Sequence, residues 1–196
     1  MPINIEDIKN LREMTGAGMM DAKRALEEAK GDTEKARELL RLKGMATAAK
    51  KADRATEQGL VEAYVHGGRI GVLVEMACES DFVARTDDFK NFIHDVAIHV
   101  AAAAPQYLDR SAVPAEVSEK EAKFFREEVL ASGKPAEHAE KIVEGKMNKF
   151  YAGICLLEQP FVKDPEQTID SLLKLLIGKL GENLVIRRFE RMELGA

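Results

Sequence analysis

Apolar residues in the first 44 positions recur at helical spacing. Ile5, Ile8, Leu11 and Met14 share one face, Asn4 stands where a cap is needed with Asp7 in the first turn, and Thr15-Gly16 breaks the pattern. A second amphipathic stretch carries Ala22, Ala25, Leu26 and Ala29 and stops at Gly31. Asp32 can cap a third, with Ala36, Leu39 and Leu40, that ends near Gly44. The spacings predict a small three-helix bundle over residues 1–44.

Between Met45 and Leu60 almost no large apolar residue occurs, and Arg41 to Arg54 holds five cations against one acid, Asp53. Residues 45–56 therefore read as a basic linker, helical in part. The period then drops from 3.6 to 2. Leu60 to Val65 and the alternating Ile70, Val72, Val74, Met76 and Cys78 flank Gly67-Gly68, a strong hairpin signal. Phe89, Phe92, Ile93, Val96 and Val100 form the stripe of a helix that Thr86 caps and Pro105 ends. Ser118-x-x-Glu121 has the form of a capping box. Ala122, Phe125 and Val129 follow it, and Ser132-Gly133-Lys134-Pro135 turns the chain into a helix with Ala139, Ile142 and Val143. That pattern predicts a helical hairpin over about 116–150. A loop around Gln159-Pro160-Phe161 leads to a helix with Ile169, Leu172, Leu173, Leu176 and Leu180, and Leu184 to Phe189 is β-like. The expectation is an α+β fold, with a core over 57–196 of a small antiparallel sheet packed with helices.

Composition narrows the function classes. The 196 residues carry a net charge of −5, no Trp and few aromatics, which argues against a nucleic-acid partner or an anionic membrane surface. The charge is uneven: residues 1–54 hold 12 basic against 10 acidic side chains, the remainder 17 against 24. The basic linker reads as a solvated connector, with RNA phosphate contact as the alternative. No apolar run is long enough to span a bilayer and the start lacks a leader pattern, so the expected location is cytoplasmic. Cys78 and Cys155 lie far apart without a CxxC, and are expected to be reduced and buried.

Motifs for enzymatic chemistry are missing: GxxxxGK[ST], GxSxG, GxGxxG and HExxH do not occur, so no catalytic residues and no cofactor are expected. His94 and His99 point about 140° apart on a helix, which disfavours a shared metal. Asp87-Asp88 reads as a pair of dipole partners in a first helical turn rather than a cation site.

Two segments resist a purely structural explanation. Thr15-Gly16-Ala17-Gly18-Met19-Met20 places two flexible thioethers after a glycine-rich corner, either as an adaptable contact surface or as core filling. Glu79-Ser80-Asp81-Phe82-Val83-Ala84-Arg85 follows a strand directly. Ser80 is placed to cap a turn, leaving Phe82 either a core plug or an exposed aromatic wedge.

The blocks LREMTGAGMMDAKRALEEAKGD, AAKKADR, GRIGVLVEMACESDFVAR, GKPAEHAEKIVEGKMNKF, LLEQPFV and KLGENLVIRRFE together resemble bacterial translation elongation factor Ts. The likeness runs nearly end to end. It implies a ubiquitin-associated-like bundle, a linker and a dimerisation core with a helical-hairpin insertion, in the short form with one core. It also implies guanine-nucleotide exchange on elongation factor Tu. By similarity, Met19, Met20 and Lys23 belong to a bundle surface facing the partner's nucleotide domain. Ser80, Asp81, Phe82 and Val83 match the TDFV motif, which inserts near the switch region and disturbs the nucleotide's magnesium. His66, Leu180 and Gly181 match core contacts, and Val162 a contact with a more distal domain.

Departures are few. Ser80 replaces the usual Thr, Lys163 follows Val162 where some longer relatives have an apolar residue, and Glu190 stands where some short relatives have a cysteine. A homodimer is expected, because longer relatives cover the single sheet with a second subdomain. Two other classes remain as alternatives: a peptide-binding adaptor resting on the bundle, and an RNA-binding accessory protein resting on the linker.

Overall fold

A computed structural model describes residues 3–131 and 136–196. In chain order the helices are α1 (Ile5–Thr15), α2 (Met19–Glu28), α3 (Thr33–Lys51), the single turn α4 (Asp81–Ala84), α5 (Asp87–Ala103), α6 (Ala115–Ala131), α7 (Ala136–Ile154) and α8 (Ile169–Leu180). The strands are β1 (Gln58–His66), β2 (Ile70–Cys78), β3 (Pro160–Phe161), β4 (Asp164–Thr168) and β5 (Leu184–Glu193). The architecture is α+β, as the periodicities predict. Two compact units are formed, Met1–Ile98 with Asp170–Ala196, and His99–Ile169.

In the first unit, α1 to α3 close around Ile8, Leu11, Ala22, Ala25, Leu26, Ala36 and Leu40. Asn4 and Asp7 cap α1 reciprocally, and Asp32 caps α3 by accepting the Lys35 amide. Gly44 does not end the third helix, which continues to Lys51 through the start of the expected linker. A Cβ built on Gly44 would lie 3.2 Å from the Lys174 carbonyl oxygen, and one on Gly178 would lie 3.2 Å from the Gly44 Cα. The two glycines are where α3 and α8 cross almost backbone to backbone, so Gly44 serves packing rather than termination.

The sheet is antiparallel in the order β1-β2-β5. Its first hairpin closes with Gly67 and Gly68 both at positive φ (56° and 70°), as a type I′ turn needs, and the Arg69 amide donates to the His66 carbonyl. Val72, Val74 and Met76 point inward with Leu184 and Ile186. Strict alternation along β5 would drive Arg188 inward next. Instead the pairing shifts between Glu75 and Met76, leaving Arg187 unpaired, so that Phe189 turns in and Arg188 turns out to meet Glu75 at 2.6 Å. α5 lies across the inner face, its His94 bonded to Glu62 at 2.7 Å and edge-on to Tyr64. The outer face carries Val61, Val65, Leu73 and Met192, all exposed.

The second unit holds the helical hairpin. α6 starts at Ala115, where the Pro114 carbonyl accepts the Val117 and Ser118 amides. Ser118 therefore lies inside the helix, and the expected capping box is not its start. The expected turn at Ser132-Gly133-Lys134-Pro135 lies outside the described residues. Val129, Ala139 and Val143 form a small core of the hairpin, and Arg126–Glu140 and Lys146–Glu128 tie its helices together. β3 and β4 add a short ribbon that no alternation announced. Among the described residues, no helix is long and apolar enough to cross a membrane.

Candidate functional site

Ser80 leaves β2 in extended conformation and caps α4, its Oγ accepting the Val83 amide at 3.4 Å. Ala84 is the buried foot of this turn, while Phe82 is 78% exposed. The core-plug reading of Phe82 is thereby excluded. Asp81 does not cap the turn; its carboxylate takes the Arg85 guanidinium at 2.7 Å. Val83 is half-buried and accepts the Thr86 hydroxyl, and Thr86 in turn caps α5 by accepting the Phe89 amide.

The loop after α8 meets this turn. Leu180 ends the helix and Gly181 follows at φ 74°, its amide bonded to the Ile177 carbonyl. Glu182 then grips Ser80 twice, accepting its hydroxyl at 2.6 Å and its amide at 3.0 Å. Asn183 donates its amide to Glu79 at 2.6 Å, which together with Arg54 holds the Glu79 carboxyl below its usual range. Ser80, Asp81, Phe82, Val83, Leu180 and Gly181 thus share one corner of the first unit. Glu182 and Asn183 were not singled out from sequence, and Glu79 only as the first residue of its segment. A lock made 102 residues apart leaves no local signal, although Glu-Asn straight after a helix-ending glycine was the one hint.

The other residues lie elsewhere. Met19 and Met20 open α2 and are 41% and 63% exposed, which excludes core filling. Lys23 is on the same helix, 3.8 Å from Glu27. His66 sits at the far end of the β1–β2 ribbon, about 26 Å from its Cys78 end at the usual rise per residue, with its Nδ1 on the Tyr64 hydroxyl. Val162 belongs to the second unit, exposed in the β3–β4 turn, and its amide donates to His99 Nδ1 at 3.3 Å. His99 is fully buried, with Nε2 2.9 Å from Gln159 Oε1; burial pushes its pKa below the usual 6.5 and keeps the ring neutral.

The weaker readings from sequence resolve in ordinary ways. Asp88 pairs with Lys179 at 2.6 Å. In the basic run, Arg41 pairs with Glu38, Lys43 with Asp21 and Arg54 with Glu79, while Lys51 donates to the Gly181 carbonyl. Each of these four cations has a partner within the protein. Cys78 and Cys155 are both buried free thiols, and burial raises the Cys155 pKa to about 11.

Comparison with known proteins bears on the chain as a whole. A family model described as Elongation factor TS matches residues 3–175. The chain is 59% identical over 194 residues to Elongation factor Ts of Carboxydothermus hydrogenoformans, covering 98% of this chain and 89% of that protein. It is 56% identical to the Caldanaerobacter subterraneus subsp. tengcongensis protein of the same name (98% and 97% covered) and 55% to that of Alkaliphilus metalliredigens (100% and 91%). By family match, and by relatives 56–59% identical over nearly its whole length, the chain belongs to the elongation factor Ts family.

Proposed function

We propose that this chain is a guanine-nucleotide exchange factor for elongation factor Tu, working without catalytic residues or a cofactor of its own, in the cytoplasm where translation elongates. The observation that carries the reading is Phe82, a large aromatic 78% exposed at the tip of a capped turn whose foot is buried. An isolated exposed aromatic on a held backbone suits insertion into a partner, since anchors of this kind dominate interface energies.

The mechanism is linkage. A protein that binds elongation factor Tu more tightly without GDP must weaken GDP binding by the same factor. Phe82 supplies an apolar wedge that displaces switch elements. Magnesium bridges nucleotide phosphates to those elements, so their displacement lowers affinity without any contact to guanine. Met19, Met20 and Lys23 supply a binding surface on the bundle, with His66, Leu180, Gly181 and Val162 as further contacts.

A second copy of the chain covers the outer sheet face. Val61, Val65, Leu73 and Met192 place four exposed apolar side chains on one side of three strands, more than a monomer's sheet usually leaves wet. Solution mass at working concentration tests this, with a dimer expected and unchanged by reductant because Glu190 replaces a cysteine; a strict monomer would remove the dimer from the reading.

Release of a fluorescent GDP from elongation factor Tu, with and without the chain, tests the exchange role directly. Acceleration is expected. Unchanged release, or steeply salt-dependent RNA binding in its place, would overturn it.

A further inference from the structure

We propose that Glu182 is a positioning residue for the Phe82 turn: with Glu79 and Asn183 it forms a crossed lock that fixes where the aromatic ring is presented. The inference rests on the wedge reading above and adds what aims the wedge.

The lock is reciprocal. Glu182 on the α8–β5 loop accepts the Ser80 amide, and Glu79 beside Ser80 accepts the Asn183 amide, so each segment's carboxylate satisfies the other's backbone. Bonds to a carboxylate of this type are stronger than neutral ones, and of the two the Glu79 bond is short at 2.6 Å while the Glu182 bond has the ordinary length of 3.0 Å. The Ser80 hydroxyl has one hydrogen and donates it to Glu182, which turns an oxygen lone pair toward the Val83 amide. Glu182 thereby orients the cap as well as the backbone before it. The lock also reaches the end of α3 and the segment after it: Asn183 Nδ2 donates to the carbonyls of Ala52 (3.2 Å) and Arg54 (2.9 Å), and the Lys51 ammonium to that of Gly181.

Position has to be imposed from outside here. α4 is one turn of four residues, too short to hold itself, because a first turn fixes several dihedrals for a single bond. Asp81 is engaged by Arg85 rather than by the cap, and the exposed Phe82 ring has no burial of its own to fix it. The backbone between Ser80 and Ala84 is what aims the ring, and Glu182 holds its first residue.

The test is a double-mutant cycle on the full chain, read by stimulated release of fluorescent GDP from elongation factor Tu. Glu182→Gln, which keeps shape and removes the charge, is expected to slow the maximal release rate about tenfold, since small misplacements of a positioned group are costly. The concentration giving half-maximal rate should stay within about twofold, because the bundle surface is untouched. In a Phe82→Ala background the same change should slow release less than about twofold, there being no ring left to aim. Equal slowing in both backgrounds would assign Glu182 a general structural role and overturn the proposal, as would a parental rate for Glu182→Gln alone. A parental rate for Phe82→Ala alone would instead remove the wedge, and this inference with it. Rates are normalised to the folded fraction measured by circular dichroism. If Glu182→Gln does not fold, Ser80→Ala, which deletes only the hydroxyl link, is taken through the same cycle with the same two outcomes.

Discussion

The corner at Phe82 and the corner at Met19-Met20 expose comparable apolar groups but hold them in opposite ways. Phe82 rides on a turn whose first residue is gripped by a carboxylate, whose last is buried, and whose neighbours are bonded to the α8–β5 loop. The methionines follow Gly16 at φ 66° and Gly18, an N-cap residue that offers no side-chain bond. Their thioethers are unbranched and rotate freely. One corner is preorganised and the other adaptable. A group that must deform its partner needs its position fixed beforehand, because loss of freedom on binding subtracts from the work it can do. A group that must only adhere can settle its position on contact.

The largest expected effect lies on the preorganised side. Phe82→Ala should slow maximal GDP release about a hundredfold, as loss of an interface anchor does, while the melting midpoint of the free chain stays nearly unmoved. A large fall in midpoint instead would return Phe82 to the core. The paired change Met19→Ala with Met20→Ala should act on binding: half-saturation rises about tenfold with maximal rate preserved. If that pair lowers the maximal rate instead, the distinction between the corners is lost.

Val162, another of the proposed contacts, hangs on a titratable ring, and acid sharpens the contrast. His99 is neutral when folded and its pKa is depressed by burial, so below the usual value of 6.5 only the unfolded chain takes up the proton. Stability is full above pH 6.5 and should fall by at most about 1 kcal/mol between pH 6.5 and 5.5 from this group. The depressed carboxyls Asp21, Asp32, Glu38 and Glu79 contribute their loss at lower pH, below their ordinary values. Denaturant titrations of the parent and of His99→Gln check it, the variant having no slope in that window. The smallest effect is Gly18→Ser, where φ is ordinary and a new Cβ meets only Asp21 at 3.5 Å. An added cap there should raise stability by a few tenths of a kcal/mol, read from the melting midpoint.

Much of this was legible along the chain, and the reason is locality. The buried pair Ile8 and Leu11, the Asp32 cap, the alternation of Val72, Val74 and Met76 and the glycine turn all act within a few residues, so spacing alone carries them, although Ile5 and Met14, expected on the same face, are exposed. Gly44 misled because a glycine that ends a helix and one that lets another helix cross look alike in sequence; the Lys174 carbonyl that separates them is 130 positions on. Ser118 misled because a serine cap pattern gives no sign that Pro114 has already started the helix. The β3–β4 ribbon is too short to have a period. At the site, Ser80, Asp81 and Phe82 were found as a segment, whereas Glu182 was invisible because its partner is fixed only by the fold.

The hairpin of α6 and α7 carries one further consequence. Among the described residues, Val129, Ala139 and Val143 are buried in its core, where the bundle of α1 to α3 buries eight side chains. Little apolar area is withdrawn from water, and its solvent-exposed ion pairs, Arg126–Glu140 and Lys146–Glu128, add little to that. The described part of the hairpin should therefore open more cheaply than the bundle. In deuterated solvent its amides should exchange through local opening well before those of β2 and β5, setting a clock for the two regions of one folded chain that runs at different speeds.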